Sequence, residues 1–149
     1  MSLHHIEDLS HFSVPMDERS TTFLFPGQAS QFVGMGRDLY ERYPSVRELY
    51  EQANDLLEFD IAEISFTGPA ELLRQTAYTQ PAILVHSIAV TSVLESYAIR
   101  PTYVAGHSLG EYSALVAAGY LGVAEAIRLV KLRSSLMHQA GEEWPGTMA

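Results

Sequence analysis

Residues 102–118 read TYVAGHSLGEYSALVAA, and this stretch decides the fold. Its β-rich first part predicts a short strand over Thr102–His107, and the part that follows predicts a helix over Leu109–Ala118. The pattern Gly106-x-Ser108-x-Gly110 between them makes a tight turn from strand to helix. In this context the pattern indicates a nucleophile elbow in an α/β protein, with the Ser108 hydroxyl projecting from the end of a strand.

The predicted turn supplies part of what a nucleophilic serine needs. The N–H of Leu109, at the N-terminus of the predicted helix, would face the oxyanion that forms when Ser108 attacks a carbonyl group. The hydroxyl also needs a base that takes its proton. A bare GxSxG pattern also arises by chance as a glycine-rich turn with an incidental serine, and the predicted strand and helix argue against that alternative.

The histidines of the chain do not supply a convincing base for Ser108. His107 is its neighbour, and neighbouring strand residues point to opposite faces, so we expect His107 to support the turn instead. His86 lies in an apolar helix, where the ordinary role is that of a hydrogen-bonded core histidine. His138 lies in the last turn of a predicted helix, where a cation complements the helix dipole. The other three lie in the N-terminal segment: His4, His5 and His11.

A second strand is predicted over Thr21–Phe25, ended by Pro26-Gly27. Two strands separated by helices imply a parallel α/β sheet, and two strands are too few to complete one. Residues 1–20 are expected to form a loose N-terminal extension, and residues 21–149 the N-terminal part of one catalytic domain. Small and apolar residues at 146–149 indicate the start of a further strand, so we expect the natural polypeptide to continue.

Three longer helices are predicted around this sheet. Pro44 opens an amphipathic helix, after which residues 59–65 stay ambiguous between helix and strand. A helix from Thr79 to Tyr97 has Pro81 in its first turn and is apolar around most of its circumference, so we expect it to be buried. A third helix runs from Val123 to Gln139. Its core-facing stripe is predicted to consist of Ala126, Ile127, Val130, Ser134 and Met137.

Composition excludes several classes of function. The chain of 149 residues carries a net charge of −9 with nine lysines and arginines, which argues against nucleic-acid binding. No stretch is predicted to be long and apolar enough to cross a membrane, the best being Pro81–Val93. The absence of cysteine excludes disulfides and thiolate metal sites, and fits a cytoplasmic enzyme; no metal and no cofactor are expected. An acidic partner would need a local basic patch such as Arg128, Lys131 and Arg133.

Four features, in the same order, resemble malonyl-CoA:acyl carrier protein transacylases and the acyltransferase domains of polyketide synthases. They are the segment 106–115, the loop 25–31 (FPGQASQ), its continuation at 34–36 and the segment 79–82 (TQPA). The resemblance covers the chain from about Thr22 onward. It implies an α/β-hydrolase-like parallel sheet subdomain, with a ferredoxin-like small subdomain expected beyond the chain end.

The resemblance also implies a reaction and the residues that carry it. Ser108 would take the malonyl group from malonyl-CoA as an ester and pass it to the phosphopantetheine thiol of acyl carrier protein, a ping-pong transfer that supplies fatty acid synthesis. The backbone N–H groups of Gln28 and Leu109 would form the oxyanion hole. Arg133 would hold the malonyl carboxylate, since a guanidinium binds a carboxylate through two parallel hydrogen bonds. A solvated charge on a helix face is the commonest alternative for an arginine.

Other residues near the expected site receive lesser roles. Gln31 and Gln80 are expected to be structural hydrogen-bonding groups around it. Glu111 lies in a first helical turn, where a carboxylate is favourable without any catalytic role.

The catalytic histidine of the family has no counterpart in this sequence. We therefore expect the chain to be truncated before the base and to turn over poorly alone. Two other functions stay open. An α/β-hydrolase esterase or thioesterase would use the same turn and let water take the acyl group, but it has no need of Arg133. A non-catalytic remnant that only binds carrier protein is the alternative from a different class.

Overall fold

The computed structural model describes residues 21–143, so the predictions for residues 1–20 and 146–149 lie outside the described part. Within it, two strands and seven helices follow in chain order: β1 Thr22–Phe25, α1 Arg37–Arg42, α2 Pro44–Leu57, α3 Ile61–Phe66, α4 Ala70–Leu73, α5 Thr76–Ser96, β2 Tyr103–Gly106, α6 Gly110–Ala117 and α7 Val123–Glu143. The α/β class and the order of strands and helices agree with the sequence prediction.

The two strands pair in parallel, as predicted. The register of β1 and β2 runs from Thr22 opposite Tyr103 to Phe25 opposite Gly106. Parallel strands end at the same edge of a sheet, and ligands of open α/β sheets bind outside the carboxyl ends of the strands. The loops that follow Phe25 and Gly106 therefore start side by side, and they form the candidate site.

Helix α2 shows how the sequence builds the helical layer. Pro44 takes the first helical position, where its missing N–H costs no hydrogen bond. The predicted apolar face is buried: Val46, Leu49, Tyr50, Ala53 and Leu57. The ambiguous residues that follow contain α3, because the side chain of Asp60 accepts a hydrogen bond from the N–H of Glu63 at 2.9 Å and caps a helix there.

Helix α5 begins earlier than the sequence predicted. It starts at Thr76, so Pro81 lies inside the helix and not in its first turn. A proline at this position cannot donate to the carbonyl group four residues before it, which belongs to Ala77. Ser134 Oγ, on α7, lies 3.4 Å from this carbonyl oxygen, but its single proton has a closer acceptor in the carbonyl oxygen of Lys131 at 3.0 Å. Helix α7 therefore packs against the group that Pro81 leaves free.

The earlier start also corrects the prediction that no stretch could cross a membrane. Helix α5 has 21 residues, and its most apolar 18-residue window has a mean hydropathy of 1.2, which satisfies the length and composition of a membrane span. However, 61% of that window is buried inside the fold. The helix packs against α2, α3, α6 and α7, and this core position accounts for an apolar surface all round.

Helix α7 covers α5 through most of its predicted stripe. Ala126, Ile127, Val130 and Ser134 are buried, as predicted. Met137, the last residue of the stripe, is 42% exposed, but its Sδ accepts a hydrogen bond from the buried Gln80. The helix continues to Glu143, beyond its predicted end at Gln139.

Candidate active site

The turn between β2 and α6 places Ser108 in a rare backbone conformation. Ser108 has φ 52°, in the left-handed region that a residue with a side chain seldom adopts, and it is exposed. The glycines on either side serve another purpose than the sharp bend that the sequence suggested. A Cβ at Gly106 would lie 2.1 Å from the carbonyl group of Gly110, and one at Gly110 would lie 2.2 Å from the carbonyl oxygen of Phe25. The glycines let helix α6 approach both strands closely. The residue of the turn with the left-handed backbone is Ser108 itself.

The two loops at the ends of the strands lie against each other. The N–H of His107 donates to the carbonyl oxygen of Phe25 over 3.1 Å, which joins the turn to the end of β1. A Cβ at Gly27 would lie 2.9 Å from both Nδ1 and the carbonyl oxygen of His107. His107 therefore lies against the loop that follows β1. This position is consistent with the expected role of supporting the turn.

The loop after β1 is held by short hydrogen bonds of its own. The N–H of Ala29 donates to Gln31 Oε1, and Ser30 Oγ donates to the carbonyl oxygen of Gly27, both over 2.9 Å. Within residues 21–143, the backbone N–H groups of Gln28 and Leu109 donate no hydrogen bond. Within the described part of the chain, these two N–H groups at the ends of adjacent strands are thus available to bind an acceptor.

Arg133 extends from α7 to the candidate nucleophile. Its Nη2 donates to Ser108 Oγ over 2.9 Å, and its Nη1 donates to Oε1 of Gln80. The guanidinium also lies 5.7 Å from the centre of the Tyr112 ring, a cation–π distance. The arginine is half-buried and held from three sides, unlike the solvated helix-face charge that was its common alternative.

The basic patch suggested for an acidic partner does not form as one surface. Lys131 Nζ lies 2.6 Å from a carboxylate oxygen of Glu58 and 3.3 Å from the carbonyl oxygen of Leu56. The hydrogen bond from Lys131 lowers the pKa of the Glu58 carboxyl group. Arg128 is exposed, whereas Arg133 is turned to Ser108, so the three cations have three different environments.

Gln80 is the site residue that sequence reasoning undervalued. Its side chain is completely buried, although it lies in a helix that is otherwise apolar. Besides accepting from Arg133, it donates from Nε2 to Gln28 Oε1 over 3.2 Å and to Met137 Sδ over 3.3 Å. The available signal was a long polar side chain in an apolar helix, because such a group must have partners when it is buried.

The histidines in the described part do not contact the serine hydroxyl, whose hydrogen-bond partner there is Arg133. His138 lies 3.6 Å from Glu142, its neighbour one turn along α7. His86 departs from the expected hydrogen-bonded core histidine: it is half-buried, and its Nδ1 is buried without a partner within residues 21–143. Burial lowers the pKa of His86, against a smaller opposite effect of Asp38.

Residues 21–143 contain no group of three or more histidine, cysteine, aspartate or glutamate side chains arranged to hold a metal ion. The groups that the candidate site brings together are a hydroxyl group, a guanidinium and backbone N–H groups.

Comparison with known sequences places these features in a family context. Residues 22–149 match the acyl transferase domain family. The malonyl CoA-acyl carrier protein transacylase of Bacillus subtilis is 47% identical over 127 residues, which are 85% of this chain and 40% of that protein. The protein of the same name from Haemophilus influenzae is 50% identical over 127 residues, which are 84% of this chain and 41% of that protein.

Solved structures agree in fold. An acyl carrier protein S-malonyltransferase from Vibrio cholerae superposes with a TM-score of 0.78 at 46% identity, over 82% of this chain and 40% of that one. A malonyl-transacylase in complex with a type II polyketide synthase acyl carrier protein superposes with a TM-score of 0.77 at 44% identity, again over 82% and 40%. The chain thus spans about 40% of the length of the relatives that it matches.

Proposed function

The chain belongs to the acyl transferase domain family, and we propose that it carries the nucleophile, the oxyanion hole and the carboxylate clamp of a malonyl-CoA:acyl carrier protein transacylase. The observation that carries this proposal is the hydrogen bond from Arg133 Nη2 to Ser108 Oγ at 2.9 Å. It sets a permanent positive charge beside an exposed hydroxyl group on a strand-to-helix turn. An acyl group that is attached to this oxygen and ends in a carboxylate would meet that charge.

The proposed reaction is a ping-pong transfer through Ser108, the turn acting as a nucleophile elbow. Oγ attacks the thioester carbonyl of malonyl-CoA, the C–S bond breaks, and CoA leaves as the thiol with the proton that Ser108 gives up. The malonyl group stays as an ester on Oγ. The phosphopantetheine thiol of acyl carrier protein then attacks this ester, the C–O bond breaks, and Ser108 regains its proton. Both steps pass through an oxyanion.

The N–H groups of Gln28 and Leu109 are the proposed oxyanion donors. Both lie at the carboxyl ends of adjacent strands, and neither donates a hydrogen bond within residues 21–143. Leu109 directly precedes helix α6, so its N–H belongs to the positive end of that helix. One such donor lowers an acyl-transfer barrier by about 3 kcal/mol in comparable sites.

Arg133 is the proposed receptor for the free carboxylate of the malonyl group. A guanidinium carries its charge throughout the accessible pH range and binds a carboxylate through two parallel hydrogen bonds. An acetyl group cannot use this interaction. For the same reason the arginine cannot be the base, because it has no lone pair to offer. We propose that the catalytic histidine of the family, which has no counterpart in this sequence, takes the proton.

The first test is the intact mass, after incubation with malonyl-CoA, of a protein that includes the catalytic histidine of the family. We expect a malonyl adduct that is absent from the Ser108→Ala variant. Addition of acyl carrier protein that bears phosphopantetheine should remove the adduct and produce malonyl-carrier protein. An adduct that water removes equally fast without carrier protein would favour the esterase. Binding of carrier protein without acylation, in a protein that includes the histidine, would favour the non-catalytic remnant.

A further inference from the structure

The buried amide of Gln80 occupies a position that ordinary core packing does not explain. Its exposure is 0%, and the helix around it is predominantly apolar. Burying an amide without hydrogen bonds costs several kcal/mol, so a Gln80 whose only task was to fill space would be inferior to a leucine or methionine. Its hydrogen bonds must therefore give the residue its purpose.

The polarity of those hydrogen bonds is fixed by the arginine. A guanidinium has donors only, so Gln80 must present Oε1 to Arg133. Its Nε2 then faces acceptors, Gln28 Oε1 and Met137 Sδ. With its oxygen so engaged, Gln28 turns its own Nε2 to Thr76 Oγ1 over 3.3 Å, in the first turn of α5. These hydrogen bonds form one relay, which runs from Arg133 through Gln80 and Gln28 to Thr76. The charge of the arginine orients both amides in it.

We propose that Gln80 is a positioning residue that holds the Arg133 guanidinium without neutralising it, and thereby sets the preference for acyl groups that end in a carboxylate. This inference rests on the proposed function. An uncharged amide oxygen takes one N–H of the guanidinium and leaves its full charge to the substrate. A glutamate of the same size would pair with the arginine and compete with the substrate carboxylate.

The relay also links the clamp to the proposed oxyanion hole. Gln28 contributes its side chain to the relay and its backbone N–H to the loop edge. Gln80 thus restrains both the Arg133 guanidinium, which would bind the carboxylate, and the side chain of Gln28, whose loop would bind the developing oxyanion. Loss of Gln80 should loosen both the guanidinium and the loop. Only the loosened guanidinium should change the preference for malonyl over acetyl groups.

The test measures binding in a Ser108→Ala background, in which acyl transfer is blocked. Affinities for malonyl-CoA and acetyl-CoA are determined by titration calorimetry, and their ratio isolates the contribution of the carboxylate. Gln80→Glu should reduce the malonyl preference by about tenfold, a typical effect for one hydrogen bond to a charged group. Gln80→Met should reduce it by a smaller factor, because the charge stays but its support is lost. Gln75→Glu adds the same charge at an exposed position before α5 and should leave the ratio unchanged.

Each outcome has a distinct meaning. A folded Gln80→Glu variant that keeps the parent ratio would overturn the proposal, as would an equal loss of affinity for both ligands, which indicates a structural role alone. If Gln80→Glu does not fold by circular dichroism, the ratio of Gln80→Met decides. A parent protein that binds both ligands equally would instead refute the carboxylate clamp of the proposed function, and this inference with it.

Discussion

Arg133 donates from Nη2 to the Oγ of Ser108 over 2.9 Å, across 25 positions of the sequence. The direction of this hydrogen bond matters, because a guanidinium has donors and no acceptor. The serine oxygen accepts from the arginine, so its own proton stays free to be given to a base. The contact therefore brings a positive charge to the proposed nucleophile without tying up the proton that it must lose.

Replacement of Arg133 should slow acylation of Ser108 by malonyl-CoA much more than acylation by acetyl-CoA. We expect Arg133→Met to lower the rate of Ser108 acylation by malonyl-CoA about 10- to 100-fold, since about 1.5 to 3 kcal/mol of charge-assisted hydrogen bonding is lost. Acylation by acetyl-CoA should change by no more than about threefold, since that acyl group lacks the carboxylate. Time courses of intact mass give both rates, measured in a protein that includes the catalytic histidine of the family. Arg128→Met, at an exposed position of the same helix, is the control. A parallel fall for both substrates would contradict the clamp.

The left-handed backbone of Ser108 should be measurable as strain. At φ 52° a side chain costs about 1 kcal/mol that glycine avoids. Ser108→Gly should therefore unfold with a free energy about 1 kcal/mol higher than Ser108→Ala in urea. Ser135, exposed in the middle of α7, should show the opposite order, because alanine is the better helix former there by a similar amount. A Ser108→Gly variant less stable than Ser108→Ala would show that the turn is not strained.

Much of this architecture could be predicted from local patterns. The parallel pairing of the strands joins distant segments and was predicted from the helices between them. The Gly106-x-Ser108-x-Gly110 turn, the strands themselves and the buried face of α2 each follow from spacing and turn chemistry within their own segment. These features have a short-range physical cause. The glycine pattern reports a close approach of helix and strand, and that approach is local to the turn.

The remaining features depend on contacts between distant segments. Near the start of α5, the carbonyl group that Pro81 leaves free lies against Ser134 of α7. The role of Gln80 requires the position of Arg133, 53 residues later. Lys131, one cation of the suggested basic patch, pairs with Glu58, which lies 73 residues earlier in the chain. A sequence pattern in one segment carries no information about these partners.

The approach of α6 to β2 should make Gly106 intolerant of any side chain. A Cβ there would lie 2.1 Å from backbone atoms of Gly110, which cannot rotate away. Gly106→Ala should lower the free energy of unfolding by about 1 to 3 kcal/mol, the range of overpacked sites. Gly141→Ala, on α7 with nothing within 4 Å of the added Cβ, should raise it by up to about 1 kcal/mol. Urea denaturation of both variants checks the prediction, which an unchanged stability of Gly106→Ala would contradict.

His86 should make the fold sensitive to acid. Its Nδ1 is buried near the Tyr50 hydroxyl group, and burial lowers its pKa below the ordinary 6.5, although the Asp38 carboxylate acts in the opposite direction. The unfolded chain therefore takes up the proton first, and stability should fall as pH decreases from about 6.5 towards the lowered pKa. The imidazole NMR signal of His86 gives the pKa directly, and Asp38→Asn should lower it further. His86→Leu should remove this part of the pH dependence in urea denaturation between about pH 7 and pH 5. A His86 that titrates at or above 6.5 would show that the folded protein accepts the charged imidazole without cost.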